Sequence, residues 1–141
     1  INGTFDDAAV GTSMREGTLY LSNGPFLSVS LADNHGHRKE MGGVIFASRS
    51  LQHDYPVTVE APYNVGTDVG TLRVYRGGTG DSSETLLREF QNVTGQGTLQ
   101  VLSSIPNPNH QRRGVWYRTE FESSGNPQKS AYSSIIIVAL R

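Results

Sequence analysis

Hydrophobic positions along this chain come in short runs, and most of the runs alternate. Residues 115–122 are the clearest case. Val115, Tyr117, Thr119 and Phe121 fall on one side of an extended chain, and Trp116, Arg118, Glu120 and Glu122 on the other. Residues 71–76 repeat the pattern, with Leu72 and Val74 inward and Arg73 and Tyr75 outward. In 55–61, Val57 and Val59 oppose Thr58 and Glu60, and in 26–31, Leu27, Val29 and Leu31 oppose Phe26, Ser28 and Ser30. Further strands are expected at 18–22, 44–47, 86–93, 98–102 and 132–140. No stretch of twelve residues carries a 3.6-residue apolar period, so no helix is expected.

The breaks between runs carry turn chemistry. Asn23-Gly24-Pro25 and the segment 77–83 read as turns, 33–40 (DNHGHRKE) as a polar loop, and 105–113 as a loop in which Pro106 and Pro108 cannot donate to a ladder. Eight to ten short strands at this spacing predict an all-β domain, an antiparallel two-sheet β-sandwich or jelly roll.

The terminal strand departs from alternation. Residues 135–140 are all apolar, which asks for cover on both faces. One face would meet the opposite sheet. The other would meet a neighbouring subunit or the residues 1–16 of the same chain, since an exposed apolar row invites aggregation.

Composition narrows the class. The 141 residues fit one domain with a core of its own. The formal charge of −1, with acids and bases interspersed, points to no nucleic-acid partner and no basic membrane patch. No apolar run approaches the length of a membrane-spanning helix, and no membrane insertion is expected. Cysteine is absent, which removes disulfides and thiolate metal sites. The chain begins at Ile1, and the expectation is a piece of something longer.

A catalytic constellation is not evident. There is no nucleophile elbow around a serine. Glu120 and Glu122 share a strand face roughly 6–7 Å apart, a spacing glycosidases use, but solvated outer-face glutamates are far commoner. His35-Gly36-His37 offers two imidazoles without the third and fourth ligands a zinc site needs, short of a site shared on a threefold axis. No cofactor, no metal and no enzymatic activity are expected.

The succession of GTLRVYRGGT, a turn, LLREFQNVTGQGTLQVLSS, then RGVWYRTEF and a terminal SSIIIVALR resembles the carboxyl-terminal jelly roll of phage tail fibres and tailspikes. That module is similar to the trimeric heads of the tumour-necrosis-factor and C1q type, and to the heads of animal-virus fibres. The resemblance covers about half the chain, from Leu72 to Arg141, and rests on strand spacing and residue texture. It implies a homotrimeric head on the virion surface that attaches the virus to a host receptor, a carbohydrate before a protein. Residues 1–16 would then be a lead-in from an upstream shaft and 17–141 the head. A monomeric carbohydrate-binding module and a purely structural trimerisation cap are the alternatives.

A glycan reader needs aromatic faces for sugar rings and polar groups around them. The candidates are His35, His37 and Arg38 in one loop, Tyr63 and Asn64 after Pro62, Asn109, His110, Arg112 and Arg113 in another loop, and Trp116, the one tryptophan. Trp116 suits a sugar platform, an interface anchor or a core position. The subunit-interface candidates are Ile135, Ile136, Ile137, Val138 and Leu140.

Overall fold

The computed structural model describes residues 21–48, 50–79, 84–106 and 114–141. All its regular elements are strands: β1 (Leu21–Ser22), β2 (Phe26–Leu27), β3 (Ser30–Asp33), β4 (Arg38–Glu40), β5 (Val44–Ala47), β6 (Tyr55–Gly78), β7 (Glu84–Ile105), β8 (Val115–Ser123), β9 (Ser130–Tyr132) and β10 (Ile136–Leu140). The all-β expectation is met. The lead-in at 1–16 lies outside the described residues, as do Asn109, His110, Arg112 and Arg113.

The backbone of the fold is a single long hairpin. β6 and β7 pair antiparallel from Tyr55↔Ile105 to Gly77↔Glu84. The sequence pattern divides each of them into two strands, because glycines interrupt the apolar alternation. Those glycines instead bend one continuous ribbon. Register shifts cluster between Asn64 and Leu72, where Gly66 and, on the partner, Asn92 and Gly95 hold positive φ angles of 60°, 56° and 72°. Extra residues on one strand force a local bend and added twist. The bend changes β6's partner on its other edge. Its first half pairs with β3 and β2, and its second half with β8.

The ladders therefore run through one sheet, which is nearly closed. From β4 the path goes through β3, β6 and β8 to β10 and β5, and the short turn at 41–43 joins β5 back to β4. Two separate antiparallel layers are not what the hydrogen bonds describe. The expected antiparallel order also fails at one place: β10 pairs parallel to β5, from Ile137↔Val44 to Leu140↔Ala47. The chain enters both strands from the same end, because Gly42 N donates to Ile135 O and Ile137 N to Gly43 O, tying the two starting points together.

Smaller corrections follow from side-chain hydrogen bonding. The loop expected over 33–40 contains β4, whose three charged residues hide its strand character. The expected strand 26–31 divides into β2 and β3 at Ser28, whose carbonyl accepts a bond from the buried Thr119 hydroxyl across the core (3.0 Å). The expected strand 132–140 divides into β9 and β10. Between them Ser133 Oγ accepts from Thr119 N (2.8 Å), doing with a side chain what the ladder would have done.

Alternation sets the core as the sequence predicts. Val115, Tyr117, Thr119 and Phe121 are buried with Leu72, Val74, Val57, Val59, Leu27, Val29 and Leu31. Tyr117 keeps its hydroxyl satisfied by Ser103 Oγ at 2.9 Å. The terminal strand is asymmetric. Ile136 and Val138 are fully buried in this core, whereas Ile137, Ala139 and Leu140 are half-buried and Ile135 is 38% exposed.

Candidate functional site

The register separates the sequence candidates. Asp33, at the start of the loop carrying His35, His37 and Arg38, pairs with Val57, while Phe26 pairs with Asn64. From Val57 to Asn64 the strand rises about 23 Å, at ~3.3 Å per residue. The histidine loop and the Tyr63–Asn64 region thus lie at opposite ends of this stretch of β6 and cannot grip the same sugar ring.

The histidine loop is organised by a residue that the sequence reading passed over. Asp33 has no exposed side-chain surface and accepts four hydrogen bonds. Its Oδ1 takes the backbone N–H groups of His35 (2.9 Å) and His37 (2.8 Å), and its Oδ2 takes His37 Nδ1 (2.7 Å) and the Tyr55 hydroxyl. Burial pushes the carboxyl up, but the donated bonds from Tyr55, His37 and His35 outweigh it and hold Asp33 at about 2. The same contact, with burial leading, raises the Tyr55 hydroxyl well above its ordinary value. His35 stacks on the Tyr55 ring, 6.3 Å between centroids. The two imidazoles therefore take different partners and do not converge on a metal position. Arg38 is engaged too, with Glu60 (2.8 Å) and Glu40 (3.6 Å).

The bend in β6 makes the more accommodating place. There a hollow of about 400 Å³ is lined by Phe26, Asn64, Gly66, Thr67, Asp68 and Lys129, among others. This volume falls in the range of small-molecule sites, roughly 300–1,000 Å³. Asn64 Oδ1 accepts from Gly66 N (3.2 Å), an Asx turn that sets the bend, and its Nδ2 reaches Gln96 Oε1 at 3.4 Å. Lys129 pairs with Asp68 at 3.2 Å. Thr94 Oγ1 donates to the Asp68 carbonyl at 2.7 Å, fixing the backbone that carries the carboxylate. Phe26, 39% exposed, stands at the rim. The hollow thus offers an amide that donates and accepts, a carboxylate that accepts, an ammonium that donates and an aromatic edge. Of these residues the sequence reading had only Asn64. Tyr63 sits beside it, its hydroxyl packed over Gly97. Phe26, Asp68 and Lys129 come from segments far apart in sequence, and only the polar Tyr63-Asn64 segment after Pro62 pointed here.

The outer face of the sheet is divided by chemistry. At one end, Arg73 bonds Glu89 (2.9 Å) and Glu122 (3.2 Å), and Arg118 bonds Glu84 (2.8 Å) and Glu120 (3.1 Å) while lying 4.3 Å over the Tyr75 ring. Glu120 and Glu122 are thus each bonded to an arginine. At the other end Trp116 lies across Gly77, so closely that a Cβ there would overlap the indole, and its Nε1 donates to Gly78 O at 3.2 Å. Beside it run Ile137 and Val44, half-buried, with Ile135 and the 48%-exposed Phe46. No protein-family model matches this chain, and no curated protein matches it.

Proposed function

We propose that this domain is the head of a viral attachment fibre, displayed on the virion surface, that assembles as a homotrimer and binds a host glycan in the hollow at the β6 bend. The observation that carries the glycan reading is the chemistry of that hollow. Asn64, Asp68, Lys129 and Thr67 supply donors and acceptors around one hollow, and Phe26 supplies an apolar edge for a sugar's C–H face. The carboxylate and the ammonium neutralise each other, which suits an uncharged sugar. In this reading the nearly closed sheet is a jelly-roll head whose two halves, joined by the bent ribbon, close over one core. It binds and does not hydrolyse, since Asp68 is ion-paired and Glu120 and Glu122 are held by arginines.

The trimer rests on the outer face. Ile135, Ile137 and Trp116 form an apolar strip on the side of β10 that faces away from the core, where the terminal strand asks for a second cover. A monomeric carbohydrate-binding module would use the same hollow but leave this strip in water, so the solution mass separates the two readings. Glycan-array binding by the intact chain tests the first point. Phe26→Ala and Thr67→Ala are expected to abolish the signal while leaving the circular dichroism unchanged. An array with no neutral glycan bound, or binding that survives both substitutions, overturns the proposal and leaves a structural cap.

A further inference from the structure

The sheet stops short of closing between β4 and β5. The turn at 41–43 is held by Gly43 N donating to Glu40 O at 2.9 Å, and past that bond the two strands part without a ladder. The gap is a hollow of about 160 Å³, lined by His37 and Lys39 on one side and Val44, Ile45 and Phe46 on the other. At the ~30 Å³ a water occupies in the liquid, that is space for about five waters, comparable with one sugar ring.

The register gives Lys39 an unusual direction. Lys39 pairs with Leu31, and Leu31 pairs with Val59, both fully buried. Paired residues leave a sheet on the same side. Lys39 therefore starts on the core side, where a closed sheet would bury it, and the open seam instead leaves it exposed and lining an apolar slot. Its stem lies against Gly43, so the side chain is guided along the slot. Among the described residues no acid pairs with it. A second cation stands beside the rim: the Arg141 guanidinium sits 3.8 Å over the Phe46 ring. His37 completes the mouth. Its Nδ1 lies 2.7 Å from Asp33 Oδ2, which fixes the ring, and the ring is mostly exposed.

We propose that this seam binds one carboxylate-bearing sugar unit, with the carboxylate on Lys39, a ring hydroxyl hydrogen-bonded to the His37 imidazole and the C–H face of the ring against Phe46 and Val44. A neutral sugar offers Lys39 no counter-charge, and a bare anion would leave the apolar walls uncovered. The slot admits one ring, and further units of a chain leave through the mouth. This inference rests on the glycan-binding reading but uses a different place on the molecule, so the two can fail separately.

The experiment is a titration of the ¹⁵N-labelled full chain with trigalacturonic acid, with maltotriose as the neutral probe and acetate as the bare anion. Trigalacturonate is expected to shift the amides of Lys39, Val44 and Phe46, and neither control to do so. Lys39→Gln is expected to weaken the interaction about ten-fold or more, as loss of a charge-assisted bond does, while Lys39→Arg retains most of it. Unmoved seam amides, equal affinity in Lys39→Gln, or equal shifts from acetate or maltotriose each overturn the proposal. Binding at the bend hollow is read separately, at the amides of Asn64, Gly66 and Lys129.

Discussion

Two neighbouring isoleucines on the terminal strand are expected to respond in opposite ways to the same substitution. Ile136 lies opposite Tyr117 and is fully buried, whereas Ile137 lies opposite Trp116 and Val44 and is half-buried on the outer face. Ile136→Asp removes a side chain whose truncation alone costs about 2–5 kcal/mol. It also places a carboxyl among Val115, Tyr117 and Val138, where even the protonated form pays roughly 1–3 kcal/mol for lost hydration by mutational measures. Together these reach about 3–8 kcal/mol, against a total stability of about 5–15 kcal/mol for a domain. Ile137→Asp keeps its carboxylate in reach of water and costs about 1 kcal/mol within the subunit.

The assay is urea denaturation followed by circular dichroism, with light-scattering mass on the same samples. Ile136→Asp is expected to be insoluble or to lose its cooperative transition, and Ile136→Val, at about 0.5–1.5 kcal/mol, supplies a folded variant for comparison. Ile137→Asp is expected to keep the transition and to lower the mass, because it puts a charge into the proposed subunit contact. Equal destabilisation by the two aspartates would refute the assignment of core and outer faces. An unchanged mass in a folded Ile137→Asp would refute the trimer through this face.

Three further outcomes follow from the same structure. Asp33 is held at about 2 against an ordinary value of 3.8, so its contribution is fully present above pH 4 and is lost as pH falls toward 2. The shift corresponds to about 2 kcal/mol, and the stability difference between wild type and Asp33→Asn should shrink by that amount over this interval in acid-titrated urea melts. Gly70→Ala should cost about 1–3 kcal/mol, because a Cβ there overlaps the backbone carbonyl of Glu122, which cannot rotate away; a melting temperature equal to wild type would contradict this. Arg73→Ala should cost under about 1 kcal/mol, with the loss fading in 1 M salt, since its carboxylate partners lie on a partly exposed face.

The core was legible wherever a strand had one wet face. Residues 115–122 alternate, and the structure buries the side the alternation selects. What escaped the sequence was set by other forces. β4 is three charged residues, so no hydrophobic signal marks it; only its pairing with β3 makes it a strand. The continuity of β6 and β7 was hidden by Gly66, Gly95 and Gly97, which break a pattern without breaking a chain. The parallel β5–β10 pairing joins two short apolar runs about ninety positions apart, and nothing in either run states a direction. Of the candidate binding residues, Asn64 was found as part of a polar segment after Pro62. Phe26, Asp68 and Lys129 were not, because their convergence depends on where the ribbon bends. Asp33 carried a readable sign after all: an aspartate followed two and four residues later by groups that can donate back to it is the pattern of an organised loop rather than a solvated one.

One physical event links the fold to the proposed binding surfaces. A hairpin of this length, left straight, would be a flat two-stranded ribbon with little to bury. The register shifts between Asn64 and Leu72 let β6 exchange β3 and β2 for β8, and that exchange brings Leu72, Val74 and Phe121 onto the same core as Val59 and Leu27. The geometry that closes the core opens the surface beside it. At the bend, backbone polar groups leave the ladder, side chains such as Asn64 and Thr94 take up some of them, and the remaining donors and acceptors line a hollow. At the far side, the sheet that the bend curls round falls one pairing short of closure, which leaves Lys39 at an open seam instead of a buried edge. Both candidate sites are thus consequences of how one ribbon turns. A substitution that straightens the bend, such as a bulky β-branched residue at the positive-φ Gly66, is expected to disturb the bend hollow first and, through the curl of the sheet, the seam as well.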